Sequence, residues 1–203
     1  MGLLQELIEG ARQLGLDASR IQKNRNRWGL YLRLLREWGQ RVALVSRRDL
    51  WSGGLVDHLL DSLALVPHLP EKSKVIDLGS GAGFPGVPLA LYRPDLQVHL
   101  VESKVRKGVF LKTVKRELRL RNVWVHIERW ENLEGVQGDV VVSRATGALN
   151  EILALAPKFL PKGGKILVYA VQKDQVLPPF ASYQVQNPRN RKKFYILEYR
   201  YRP

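Results

Sequence analysis

Cysteine is absent from the 203 residues, which removes disulfides, thiolate metal sites and every mechanism built on a cysteine nucleophile, including that of the cytosine-C5 methylases. Long apolar runs are absent too. Nothing approaches the roughly 20 residues that cross a bilayer, and the first ten residues lack the basic-then-apolar pattern of a signal peptide. No membrane partner is expected, and the expected location is cytoplasmic. Glu6 stands where an N-myristoylation signal needs Ser or Thr. The four histidines, His58, His68, His99 and His126, show no ligand spacing, so no metal site is expected. Acidic residues are scarce: 19 Asp and Glu face 33 Lys and Arg, for a net charge of +14. That excess implies an anionic partner bound through counterion release, nucleic acid first among them. Its affinity is expected to fall steeply across a salt titration; a flat response would count against a surface that tracks phosphates.

What is present reads as one domain with an extension. Residues 2 to about 69 are predicted helical, with Leu3, Leu4, Leu7, Ile8 and Ala11, then Leu30, Leu34, Leu35 and Trp38, at helical spacing. Pro67 and Pro70 mark a boundary, giving a helical extension over 1–70 and a second unit over 71–203. In that unit short apolar runs at 75–78, 98–101, 123–127, 140–142 and 166–171 alternate with helical stretches. The clearest helix is predicted from Lys104 to Leu120, with Val105, Val109, Leu111, Val114 and Leu118 as its apolar members. Such alternation predicts an α/β fold with a doubly wound, mainly parallel sheet. Residues 183–186 and 194–199 read as a terminal antiparallel hairpin.

The stretch from Lys74 to Gly86, KVIDLGSGAGFPG, is a buried strand running into a glycine-dense turn and a helix with proline in its first turn. Gly79, Gly81 and Gly83 let backbone approach a nucleotide-like ligand closely. Gly81, Gly83 and Gly86 satisfy G-x-G-x-x-G literally, the dinucleotide fingerprint. Against that reading, Asp77 precedes the first glycine, and DLGSGAG resembles motif I of the class I methyltransferases, where an acidic strand end suits the cationic end of S-adenosylmethionine. Glu102 closes the next strand about 20 residues on, where a carboxylate accepts ribose hydroxyls of either cofactor.

Amino-group methylases commonly carry a polar residue before Pro-Pro-aromatic, and Leu177-Pro178-Pro179-Phe180 lacks it. A ring nitrogen such as guanine N7 already offers a lone pair, so positioning alone suffices. Three segments then occur in order: VDHLLDS (Val56 to Ser62), DLGSGAGFPG (Asp77 to Gly86) and VSRA (Val142 to Ala145). Over about residues 25–175 they resemble the ribosomal RNA small subunit methyltransferase G family, also called the glucose-inhibited division protein B family.

That resemblance implies a class I, Rossmann-like fold and methyl transfer from S-adenosylmethionine to a guanine N7 of 16S ribosomal RNA. The partner would be that RNA or the small ribosomal subunit, and the enzyme a monomer. It implies that Gly79 and Phe84 line the cofactor site, Glu102 holds the ribose, Trp130 and Glu131 flank the adenine, and Arg144 borders the transfer site. Asp77, Ser80, Gly81, Gly83 and Ser103 complete the candidate cofactor set. His58 and Asp61, three apart on a predicted helix, are candidate catalytic partners of Arg144; a surface hydrogen-bonded pair is the plain alternative, as a salt bridge is for Arg144 and a core position for Trp130. Two departures stand out: Asp57 replaces a basic residue before the histidine, and Val171-Gln172-Lys173 replaces the usual Leu-Lys-Gly.

Basic clusters at 23–27, 47–48, 104–107, 112–121 and 189–193 are candidate RNA contacts, with Trp28 and Phe194-Tyr195 as stacking candidates. Two other functions remain open on the sequence: a nicotinamide-dependent oxidoreductase using the literal glycine motif, and a catalytically idle RNA-binding or ribosome-assembly factor.

Overall fold

The computed structural model describes residues 2–144, 149–170 and 181–202. Five helices come first: α1 (Leu3–Gln13), α2 (Ser19–Lys23), α3 (Arg25–Gly39), α4 (Arg47–Trp51) and α5 (Gly54–Leu63). Spacing of Leu7, Ile8 and Ala11 places them on one buried stripe of α1. Gly10 lies on the same stripe, and a Cβ there would come within 2.6 Å of Leu60 on α5; the two helices cross closely for want of a side chain. Ser46 caps α4, its Oγ accepting from the Asp49 amide at 3.1 Å.

The rest is an α/β sheet: β1 (Lys74–Leu78), α6 (Gly86–Tyr92), β2 (Gln97–Val101), α7 (Val105–Glu117), β3 (Val123–His126), β4 (Val140–Ser143), α8 (Leu149–Phe159), β5 (Lys165–Ala170), β6 (Ala181–Gln186) and β7 (Lys193–Arg200). Strand order is β3-β2-β1-β4-β5-β7-β6. The first five strands pair in parallel, and β7 pairs antiparallel with both β5 and β6. The chain leaves β1 toward β2 on one side and returns to β4 on the other, so the strand order reverses there. A crevice at the carboxyl ends of β1 and β4 follows, where open α/β sheets bind their ligands.

One apolar cluster joins Leu7, Trp28 and Leu60 of the leading helices to Val98 and Phe110 of the sheet layer. Beneath the other face, Ile76, Val141 and Ile166 pack with Ile152 and Phe159 of α8. Three expectations are corrected here. Trp28 is fully buried, so it is a core residue with no face for a base. On α7, Val105 and Val109 are 66% and 43% exposed; they lie across the helix from Leu111 and Val114, and Phe110 fills the core. The hairpin turn spans residues 187–192, one residue shorter than the gap expected between 186 and 194, because Gln186 pairs with Lys193. Among the described residues, no helix is long and apolar enough to cross a membrane.

Candidate active site

The glycine loop leaves β1 and is stitched to the end of β2 by backbone. The Gly79 and Ser80 amides donate to the Val101 carbonyl at 2.9 and 3.0 Å, and Ser80 Oγ donates to the Asp77 carbonyl while accepting from the Val101 amide. Glu102, buried, accepts from the Gly81 amide at 2.9 Å through one oxygen and from the Lys104 amide at 2.7 Å through the other. The turn needs glycine most at Gly83, whose φ of +93° and space both exclude a side chain: a Cβ would stand 2.7 Å from Val87 and 2.8 Å from the Tyr31 hydroxyl. Tyr31, from α3, donates to the Ala82 carbonyl at 2.7 Å. The leading helices therefore hold the loop directly.

Asp77 lies wholly inside this loop. Its Oδ2 accepts from the Gly86 amide at 3.0 Å, at the start of α6, while Oδ1 has no partner among the described residues. Burial pushes its carboxyl up to about 7, against the pull of the Gly86 amide.

Beside the loop, a cavity of about 200 Å³ is lined by Gly79, Val101, Ser103, Trp130, Glu131 and Glu151, among others. The Trp130 ring closes one side, 3.6 Å from where a Gly79 Cβ would stand, and its Nε1 lacks a partner among the described residues. Trp130 and Glu131 belong to the segment 127–139, which joins β3 to β4 without a helix.

A second cluster sits at the end of β4. Arg144 lies 3.1 Å from His58 Nδ1 and 3.7 Å from Asp61 Oδ2. Its guanidinium stands over the rings of Phe84 and Tyr169, 5.7 and 5.5 Å from their centroids. His58 Nε2 meets Asp49 Oδ2 at 3.2 Å. An arginine only donates, so His58 Nδ1 must accept and Nε2–H must donate to Asp49. Burial, then the Arg144 charge, hold the His58 pKa below its usual value, with Asp49 opposing. Burial raises the Asp61 carboxyl, opposed first by the Asn187 amide.

The sequence candidates thus fall into two adjoining groups. Gly79, Ser103, Trp130 and Glu131 line the cavity; Phe84, His58, Asp61 and Arg144 form the cluster; Ser80, Gly81, Gly83 and Glu102 build the loop between. Asp77 supports the loop from inside. Asp49, Tyr169, Tyr31 and Asn187 join the site without having been singled out, since each arrives from a distant segment and carries no motif. Arg189, expected in an RNA-contacting cluster, is engaged internally: it pairs with Glu6 at 2.7 Å and Asp57 at 2.9 Å. Asp57, the departure from the family pattern, is the acceptor of that guanidinium. Ala145, Val171-Gln172-Lys173 and Leu177-Pro178-Pro179-Phe180 lie outside the described residues.

Known proteins agree with this architecture. Residues 24–190 match the family model for GidB, rRNA small subunit methyltransferase G, extending past the 25–175 expected. Relatives called ribosomal RNA small subunit methyltransferase G include one from Neisseria meningitidis serogroup B, 38% identical over 160 residues, covering 79% of this chain and 76% of that one. Another, from Chromobacterium violaceum, is 38% identical over 179 residues, covering 85% and 84%. Solved structures share the fold at low identity. A SAM dependent methyltransferase from Aquifex aeolicus superposes with a TM-score of 0.52 at 14% identity, covering 68% of this chain and 88% of that one. M. jannaschii TYW2, in complex with AdoMet, gives 0.53 at 15%, covering 71% and 75%. The chain belongs to the rRNA small subunit methyltransferase G family.

Proposed function

We propose that this protein transfers a methyl group from S-adenosylmethionine to N7 of a guanine in 16S ribosomal RNA, acting as a cytoplasmic monomer on that RNA or on the small subunit. The observation that carries the reading is the convergence of the glycine cradle and the Arg144 cluster at the carboxyl ends of β1 and β4. The residues present fit the cofactor. Gly79 and Trp130 both line the cavity beside the loop, and Trp130 Nε1 and Asp77 Oδ1 are buried polar atoms without partners among the described residues. Glu102 spends one lone pair of each oxygen on backbone amides and keeps another for a ribose hydroxyl.

The bound cofactor supplies an electrophilic methyl group. Guanine N7 has a lone pair and no proton to lose, so the chain's task is to orient the base. Arg144, over two rings and beside His58 and Asp61, presents a fixed cation at the mouth of the site. Phe84 and Tyr169 are the apolar walls of that mouth.

The dinucleotide reading is not favoured. A pyrophosphate would need the helix N-terminus behind the third glycine, and the Gly86 amide is already taken by the Asp77 carboxylate, whose ionised form would repel phosphate. The idle-scaffold reading leaves the Arg144 assembly without a use.

Incubation with methyl-labelled S-adenosylmethionine and undermodified 16S RNA or small subunits, followed by nuclease digestion and mass spectrometry, tests the proposal. A new methyl at guanine N7 is expected; cofactor binding with no transfer to either acceptor would refute it. In calorimetry, Gly79→Val should weaken cofactor binding by about tenfold or more, because its side chain would enter the cavity that Gly79 lines and a β-branched residue at φ +76°, strained by about 1–3 kcal/mol, would shift the loop. Unchanged affinity would move the adenine site elsewhere. The pH profile of kcat/KM should carry an acid limb at or below the usual histidine range. Protonating His58 Nδ1 destroys the acceptor that Arg144 uses, so activity is full above that pKa and lost beneath it.

A further inference from the structure

The turn of the C-terminal hairpin reaches back 126 residues to the last turn of α5. There Asn187, almost fully buried, uses all its polar groups. Its Nδ2 donates to Asp61 Oδ1 at 2.7 Å and to the Asp57 carbonyl at 3.1 Å. Its Oδ1 accepts from the Arg189 and Asn190 amides at 3.0 and 3.3 Å, and its backbone closes the turn with Lys192 and Arg191. Arg189 then clamps the turn to the leading helices through Glu6, Asp57 and the Ser52 carbonyl. The Asp61 carboxylate is thereby fixed in rotation, with Oδ2 left facing Arg144 at 3.7 Å. At that separation the pair is an ion pair without a good hydrogen bond, so the orientation of Asp61 depends on Asn187.

We propose that Asn187 is a positioning residue of the methyl-transfer site: it holds the Asp61 carboxylate in the orientation, and in the ionised state, that restrains Arg144. This rests on the proposed function, with Arg144 at the mouth of that site. The physical basis is the cost of a buried carboxylate, which persists as an anion when hydrogen bonds compensate its lost hydration. Groups facing Asp61 are Asn187 and Lys192 from the hairpin turn, Arg144 from the end of β4, and Asp57 on its own helix; the Tyr169 hydroxyl from β5 is committed to the Asp61 carbonyl. Of these, the Asn187 amide is the one in direct contact with the carboxylate at hydrogen-bond distance. Without it, burial pushes Asp61 further toward its neutral form, and Arg144 loses the opposing charge.

Asn187→Ala and Asn187→Asp test this in the full chain, with thermal unfolding as a check on folding. Methyl transfer at neutral pH is expected to fall about tenfold, the scale of one charge-assisted hydrogen bond. A second acid limb, set by the Asp61 carboxyl and distinct from that of His58, should move to higher pH, so that the deficit narrows as pH rises. The shift should be larger for Asn187→Asp, which sets a second carboxylate against the first. The cofactor Kd should stay unchanged. A purely structural role would instead lower activity equally at every pH. In the Asp61→Asn background, Asn187→Ala should add nothing further; an additive loss would overturn the proposal. The titration of the Asp61 carboxyl, followed by carbon-13 NMR, reads the same effect without catalysis. A midpoint that rises in Asn187→Ala supports the proposal, and an unmoved midpoint sinks it. If the wild-type protein methylates no RNA while this titration still shifts, the assigned reaction has failed and the Asn187–Asp61 coupling has not.

Discussion

Replacing Arg144 with alanine is expected to reduce kcat for methyl transfer by about 10²-fold or more, while leaving the fold intact and affecting cofactor affinity far less. The magnitude follows from orientation: misplacing a reactant by about an ångström costs rates on that order, and Arg144 is the cation about which His58, Asp61, Phe84 and Tyr169 gather. Lysine should not rescue it. An ammonium keeps the charge but loses the flat, forked group that stands over two rings while donating to a histidine. Steady-state kinetics with RNA, alongside separate cofactor and RNA binding, makes the distinction. Unchanged methylation would remove Arg144 from the site. Unchanged RNA affinity with lost kcat would place its effect in the transition state.

The largest expected loss of stability belongs to Trp28→Ala. Truncating a fully buried tryptophan costs about 3–5 kcal/mol, and Trp28 is a fully buried member of the apolar cluster joining the leading helices to the sheet layer. One feature opposes that loss: the buried indole N–H has no partner among the described residues, and relief of such a group is worth about 1–3 kcal/mol. The net loss expected is about 2 kcal/mol. Trp28→Phe keeps much of the ring and sheds the unpaired donor, so it should cost well under half as much. Denaturant midpoints at constant m value measure both. If both variants unfold as the wild type does and bind RNA poorly, Trp28 faces the RNA and the packing described above is wrong.

Legibility in the sequence followed the range of the interactions. The parallel strands announced themselves by apolar runs bounded by turn residues, and the structure places them within a residue or so of those runs. The glycine loop was equally visible, because positive φ at Gly79, Gly81 and Gly83 is a local demand that only certain residues meet. Helix faces were harder. Five cations between Arg106 and Arg116 surround α7, leaving an apolar stripe too narrow to separate Phe110 from Val109 by pattern alone. Long-range partners gave no local signal. His58 was singled out, but nothing in the Ser46–Asp49 cap indicates that the Asp49 carboxylate turns to meet it. Asn187 reads as an ordinary turn residue before proline, and its amide gains meaning only when the hairpin folds back onto α5. Trp130 could be placed by resemblance but not by pattern, since the segment carrying it has neither helical nor strand periodicity.

The distance along the chain between Asp61 and Asn187 also has a bearing on biosynthesis. A nascent chain that has emerged as far as β4 already contains the glycine loop, Trp130 and Arg144, along with the helices that hold the loop through Tyr31. It lacks the turn that braces Asp61. The contacts that shape the glycine loop therefore lie within the part of the chain made first, and Asp61 is braced only after the hairpin has been translated and docked.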